Sequence, residues 1–194
     1  MRQYTLDTNV FRHETSKYAN PDLRWAAKAF WKHVLHEIGD GDAVLLVPKE
    51  VIRELEVQSF TLSDKENSKI SLLLEYCQDN LPDRVTIEIE HQIRMMSAYV
   101  RSNFKQEISI DKMEYGGVSD ARILYAAYDE DSILVTANVK DFLLYPLLFP
   151  QNEQRLYDMK ENVFVTIPKD GYDKIHADLV FKGLLNDFFQ IDQQ

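Results

Sequence analysis

AVLLVPKEVIREL, residues 43–55, decides the fold. AVLLV is an unbroken apolar run, the pattern of a strand buried on both faces inside a parallel sheet. Pro48 follows and suits the first turn of a helix, where its missing N–H costs nothing. KEVIRELEV then continues at helical spacing. A buried strand passing straight into a helix is half of a βαβ unit, and similar units appear in both directions along the chain. RQYTL (2–6) reads as a strand stopping at Asp7. Asn20 caps a helix opened by Pro21, on which Leu23, Ala27, Phe30, Val34 and Ile38 recur until Gly39. Ser63-Asp64-Lys65-Glu66 is a capping box for a helix with Ile70, Leu73, Leu74 and Cys77 on its inner face. VTIEI (85–89) alternates and reads as a strand, and a helix with Ile93, Met96 and Val100 follows. Gly116-Gly117 marks a turn, and Ser119 reads as the cap of a helix carrying ARILYAAY. ILVT (133–136) is another buried strand, VFVTI (163–167) a last one, and 171–189 a terminal helix. Strands alternating with helices predict an α/β, three-layer, Rossmann-like fold whose mainly parallel central sheet is flanked by helices.

The 194 residues, 45% hydrophobic, suffice for one large core without staples. A lone cysteine, Cys77, excludes an intramolecular disulfide and fits a reducing compartment. MRQYTLDTNVF lacks the apolar segment of a signal peptide. The greasiest run, LLYPLLF (143–149), is too short to span a bilayer and is interrupted by Pro146. The expectation is a cytoplasmic protein with no membrane partner. A net charge of −10 argues against a protein that coats nucleic acid in general. It is compatible with a carboxylate-lined metal site, because bound divalent cations reverse the local charge.

Acids fall where such a sheet binds ligands, beyond the carboxyl ends of its strands. Asp7 follows the first strand. Glu50 and Glu54 lie on the helix after the second, four residues apart and so on one face. Asp120 sits in the first turn of the helix before ILVT, and Asp141 in the segment after it. Carboxylates gathered from distant segments repel unless protonated or neutralised by cations. Hard oxygen donors suit Mg²⁺ or Mn²⁺, ions that activate water, orient a phosphate and stabilise a leaving oxygen. The five histidines (13, 33, 36, 91 and 176) are scattered, so no zinc spacing competes.

LDTNVF (6–11), VPKEVIREL (47–55), SDARILYAA (119–127) and LVTANVKDF (134–142) resemble the four signature segments of PIN-domain nucleases. Their order and spacing are similar to those of VapC-type toxin ribonucleases, over residues 3–145. The resemblance implies a PIN-like fold and Mg²⁺- or Mn²⁺-dependent hydrolysis of RNA. It implies that Asp7, Glu54, Asp120 and Asp141 are the catalytic, metal-binding acids, with Thr8, Asn9, Thr136 and Asn138 supporting them. In a toxin–antitoxin pair it also implies a small antitoxin that blocks the cleft, often with a basic side chain. The chain departs from the compact toxins in a helical insertion, about 57–115, and a strand–helix extension, about 150–194. It looks like an elongated branch, still one domain over 1–194.

Several readings compete. Glu50 rivals Glu54, and the EL pair favours Glu54. Asn138 could serve as a ligand in place of Asp141. Arg53, Arg122 and Lys140 adjoin motif acids and would contact phosphates or form surface ion pairs. LLYPLLF and Phe188-Phe189 would bury against a second subunit, giving a homodimer, or would cover the sheet. A PIN-like module that binds RNA or assembles complexes without cutting would be marked by lost acids, whereas all four are present. A haloacid-dehalogenase-type phosphatase needs a second Asp two residues after the first, where this chain has Asn9. A DNA nuclease could use the same centre, because the acids themselves do not select ribose.

Overall fold

In the computed structural model, residues 1–16, 19–79, 81–108 and 116–193 are described. Six strands form one sheet: β1 (Arg2–Leu6), β2 (Ala43–Leu46), β3 (Cys77–Gln78), β4 (Ile133–Thr136), β5 (Leu156–Asp158) and β6 (Val163–Val165). Their spatial order is β3-β2-β1-β4-β5-β6. All neighbours run parallel except β5 and β6, which form an antiparallel edge. The expected α/β fold is therefore present, a mostly parallel sheet between helical layers. The central strands are buried as their apolar runs require: Leu6, Leu45, Leu134 and Val135 have no exposed surface.

The helices are α1 (Thr8–Thr15), α2 (Pro21–Gly39), α3 (Lys49–Ser59), α4 (Asp64–Leu74), α5 (Ile87–Asn103), α6 (Val118–Asp129), α7 (Lys169–Ala177) and α8 (Leu179–Asp192). Asn20 caps α2 by accepting from the Asp22 N–H, and the predicted capping box of α4 forms between Ser63 and Glu66. α1 packs on α2, α3 and α4, while α5 packs against α6 and α8. The apolar run 143–149 covers the core from within: Leu143, Leu144, Tyr145 and Leu147 are fully buried, and the Tyr145 hydroxyl donates to the Ser132 carbonyl at 2.7 Å. Phe188 is also buried, with Phe189 packed partly beside it.

Four local expectations are corrected. VTIEI is not a strand, because Thr86 accepts from the Ile89 N–H and caps α5, which buries Ile89 with Ile93, Met96 and Val100. Cys77 is not on α4; it begins the two-residue strand β3, paired with β2. Ser119 is not the cap of α6, which starts at Val118 with Gly117 in the cap position. The terminal helix is two helices, since Asp178 takes an extended conformation and caps α8 through the Val180 and Phe181 N–H groups. Helix α1 and strand β5 are additional to the expected elements. Within the 57–115 region, α4, β3 and α5 are described up to residue 108, and 109–115 lie outside the described residues.

Candidate functional site

The chain lays β2 and β3 on one side of β1, then crosses back to place β4 on the other. At such a reversal, neighbouring connections diverge and leave a crevice beyond the carboxyl ends of the two strands. Asp7 stands at that point. It directly follows β1, its N–H donates to the Val135 carbonyl at 3.1 Å, and its φ of −79° and ψ of 155° put it in the cap position of α1. Its carboxylate caps nothing. Instead Oδ2 accepts from the Thr136 hydroxyl at 2.7 Å and from the Asn9 amide. Asn9 also accepts from the Ala137 N–H at 2.8 Å, so one side chain joins the end of β1 to the segment after β4.

Asp7 is only 6% exposed. Burial pushes its carboxyl up to about 7, partly offset by the Thr136 hydrogen bond, and the charges of Asp120 and Glu54 push in the same direction as burial. Those two acids line the same open cleft as Asp7. Glu54 arrives on α3 and accepts from the Thr8 hydroxyl. Asp120 arrives in the first turn of α6 and accepts from the Gly117 N–H at 2.6 Å. Gly117 has a steric role here, because a Cβ on it would sit 3.2 Å from the Asp120 Oδ2. Asp141 lies in a 3₁₀ turn, Val139–Phe142, and its carboxylate accepts from the Asn138 amide. Asn138 itself lines the cleft, whereas Asp141 is not one of its lining residues and is tied to it through this hydrogen bond.

Glu50 faces elsewhere. It accepts from the Ser119 hydroxyl at 2.7 Å and pairs with Arg122 at 3.3 Å and Arg53 at 3.4 Å. Burial opposes its charge, but these hydrogen bonds hold its carboxyl below the ordinary value. Arg53 also pairs with Asp83, and Arg122 with Glu90, so both guanidiniums are engaged with carboxylates. Lys140 is exposed over the neighbouring groove, which shares Asn138 with the cleft. His33 and His36 are exposed on α2, beside Glu37 and Asp40.

No family model matches the chain, and no curated protein matches it. Among solved structures, the chain is similar to VapBC2 from Rickettsia felis bound to a DNA fragment from their promoter, at 19% identity and a TM-score of 0.41. The match covers 71% of this chain and 89% of that one. So slight a likeness assigns no residue a role.

Three carboxylates and the Asn138 amide supply oxygen donors to the cleft, the type that suits a hard divalent cation. A cation in the place of the proton would relieve the charge crowding that Asp7 experiences. Among the described residues, no three His, Cys, Asp or Glu side chains are close enough to form a closed cage as they stand. Two cleft residues went unnoticed in the sequence, Arg12 and Gln58. Arg12 would have been found by reading TNVFRHET as a helix, which turns residue 12 onto the same face as Thr8.

Proposed function

We propose that this protein is a divalent-cation-dependent nuclease that hydrolyses RNA phosphodiester bonds. One observation carries the reading: Asp7, Glu54 and Asp120 come from three distant elements to one cleft at the sheet's topological reversal, and the most buried of them resists ionisation. Asp7, Glu54 and Asp120 would hold Mg²⁺ or Mn²⁺, with Asp141 acting on the site through Asn138. The bound cation would activate water for in-line attack and neutralise charge on the phosphate. The chain's own part is to orient these donors. Thr136 and Asn9 fix the Asp7 carboxylate, Thr8 fixes Glu54, and the Gly117 N–H fixes Asp120.

The four motifs extend this reading to a PIN-like enzyme, in a toxin role with an antitoxin that covers the cleft. A homodimer belongs to the same proposal. It draws nothing from LLYPLLF, whose leucines are buried inside the chain. A second reading, a module that binds RNA without cutting, is favoured by the open spacing of the acids.

The test is cleavage of a labelled, mixed-sequence RNA pool with Mg²⁺, with Mn²⁺ and with a chelator, beside single-stranded DNA. Cutting of RNA that chelation stops supports the nuclease. Binding without cutting under all conditions supports the module. Cutting confined to DNA keeps the centre and changes the substrate.

A further inference from the structure

Among the described residues, the cleft has acids on its walls and one cationic side chain, Arg12. Arg12 lies on α1, four residues after Thr8 and so one turn further along the same helix. The other two arginines close to motif acids, Arg53 and Arg122, are each shared between two carboxylates. Among the described residues Arg12 has no such ion pair, and its Nη1 is buried with no hydrogen-bond partner. Gln58, on the same cleft, has its Oε1 buried and likewise unpartnered. An orphaned donor on a charged group is costly, because the group has lost water and gained nothing in return. Here an orphaned donor and an orphaned acceptor share one cleft without satisfying each other. A ligand that reaches these two residues from the cleft they line would complete such a place.

From this we infer that Arg12 is the substrate-binding cation of the site, taking a non-bridging oxygen of a backbone phosphate next to the acids. The inference rests on the nuclease reading for the identity of the strand. A guanidinium presents a planar set of N–H donors to a phosphate and forms charge-assisted hydrogen bonds. In a chain of net charge −10, such a local contact would add to the bound cation in drawing a phosphate to a carboxylate-lined cleft. Helix α1 places Arg12 on the same cleft as the acids, four residues after Thr8 and three after Asn9, which bond Glu54 and Asp7. Gln58 completes the same wall as an acceptor.

The experiment measures RNA cleavage with Mn²⁺ at several salt concentrations for wild type, Arg12→Gln, Arg12→Lys and, as a control outside the cleft, Arg53→Gln. Uridine 5′-monophosphate is titrated into each protein in parallel with Mn²⁺ present. Arg12→Gln is expected to raise KM about tenfold or more. It should also flatten the plot of log affinity against log salt by about 0.7, the loss of one phosphate contact to a single strand. Arg12→Lys should recover the salt slope, because it keeps the charge, and Arg53→Gln should match wild type. An Arg12→Gln protein with wild-type KM and salt slope overturns the inference and leaves the nuclease reading standing. So does one that loses only kcat, which would place the Arg12 contact in the transition state and not in substrate binding. A wild type that cuts nothing but binds the nucleotide through Arg12 keeps the anion site and overturns the nuclease. A wild type that neither cuts RNA nor binds the nucleotide overturns both.

Discussion

Two glutamates one turn apart on α3 illustrate how neighbours decide a residue's work. Glu50 is surrounded by Ser119, Arg122 and Arg53, whereas Glu54 meets the Thr8 hydroxyl and faces the open cleft. Glu54→Gln is therefore expected to lower RNA cleavage by about 100-fold or more, as loss of a metal-orienting group does. Glu50→Gln should leave cleavage near wild type and lower stability by about 1 kcal/mol, the worth of a partly screened charged hydrogen bond. A chemical melt and a rate measurement on both variants check the contrast. Asp7 adds a pH signature. Its carboxyl titrates near 7 in the fold, against 3.8 as an ordinary Asp. Between those values the native state keeps a proton that the unfolded chain has released, so stability is full below 3.8 and falls as pH rises toward 7. In metal-free protein, Asp7→Asn removes this dependence. The variant should melt higher than wild type at about pH 8 and alongside it at about pH 4. A variant melting lower at pH 8 would mean that the buried carboxylate stabilises the fold.

At the scale of elements, the legible parts were those set by one strong local signal. The runs AVLLV and ILVT are too apolar for any site but the sheet centre, and Asn20 and Ser63 make the hydrogen bonds expected of them. The misread parts carried two signals at once. VTIEI alternates like a strand, yet Ile89 also begins the series Ile89, Ile93, Met96 and Val100, and the Thr86 cap decides for the helix. Strand β5 is three residues long, too short to show a period. The break at Asp178 is hidden because apolar residues flank it on both sides. The site followed the same logic. Its acids and their polar supports lie in contiguous motifs, while Arg12 needs α1 to be read as a helix and Gln58 becomes visible only once α1 and α3 are folded beside each other. One contact at this scale is testable directly. A Cβ on Gly171 would sit 2.1 Å from the Glu107 carbonyl oxygen, so α7 lies against the segment after α5 with no room for a side chain. Gly171→Ala should cost about 1–3 kcal/mol or more by forcing backbone apart, read as a lowered melting temperature.

Across the whole molecule, an acidic chain would handle an acidic substrate by confining the interaction to one place. The sheet reversal between β1 and β4 opens the cleft, the end of β1 brings Asp7 to it, α3 brings Glu54, the first turn of α6 brings Asp120, and α1 brings Arg12. No helix among the described residues is long and apolar enough to cross a membrane. In this arrangement Asp7 is held in a setting that disfavours its own charge, which is a cost to the fold and a use to a cation-binding centre. The most direct test is therefore RNA cleavage by Asp7→Asn beside wild type with Mg²⁺ or Mn²⁺, on samples whose metal-free melting is recorded at the same pH. The account predicts a variant that is folded, melts at least as high as wild type near pH 8, and cuts RNA about 100-fold more slowly or not at all. A folded Asp7→Asn that cuts at the wild-type rate would contradict it, because the activity would then lie outside this cleft.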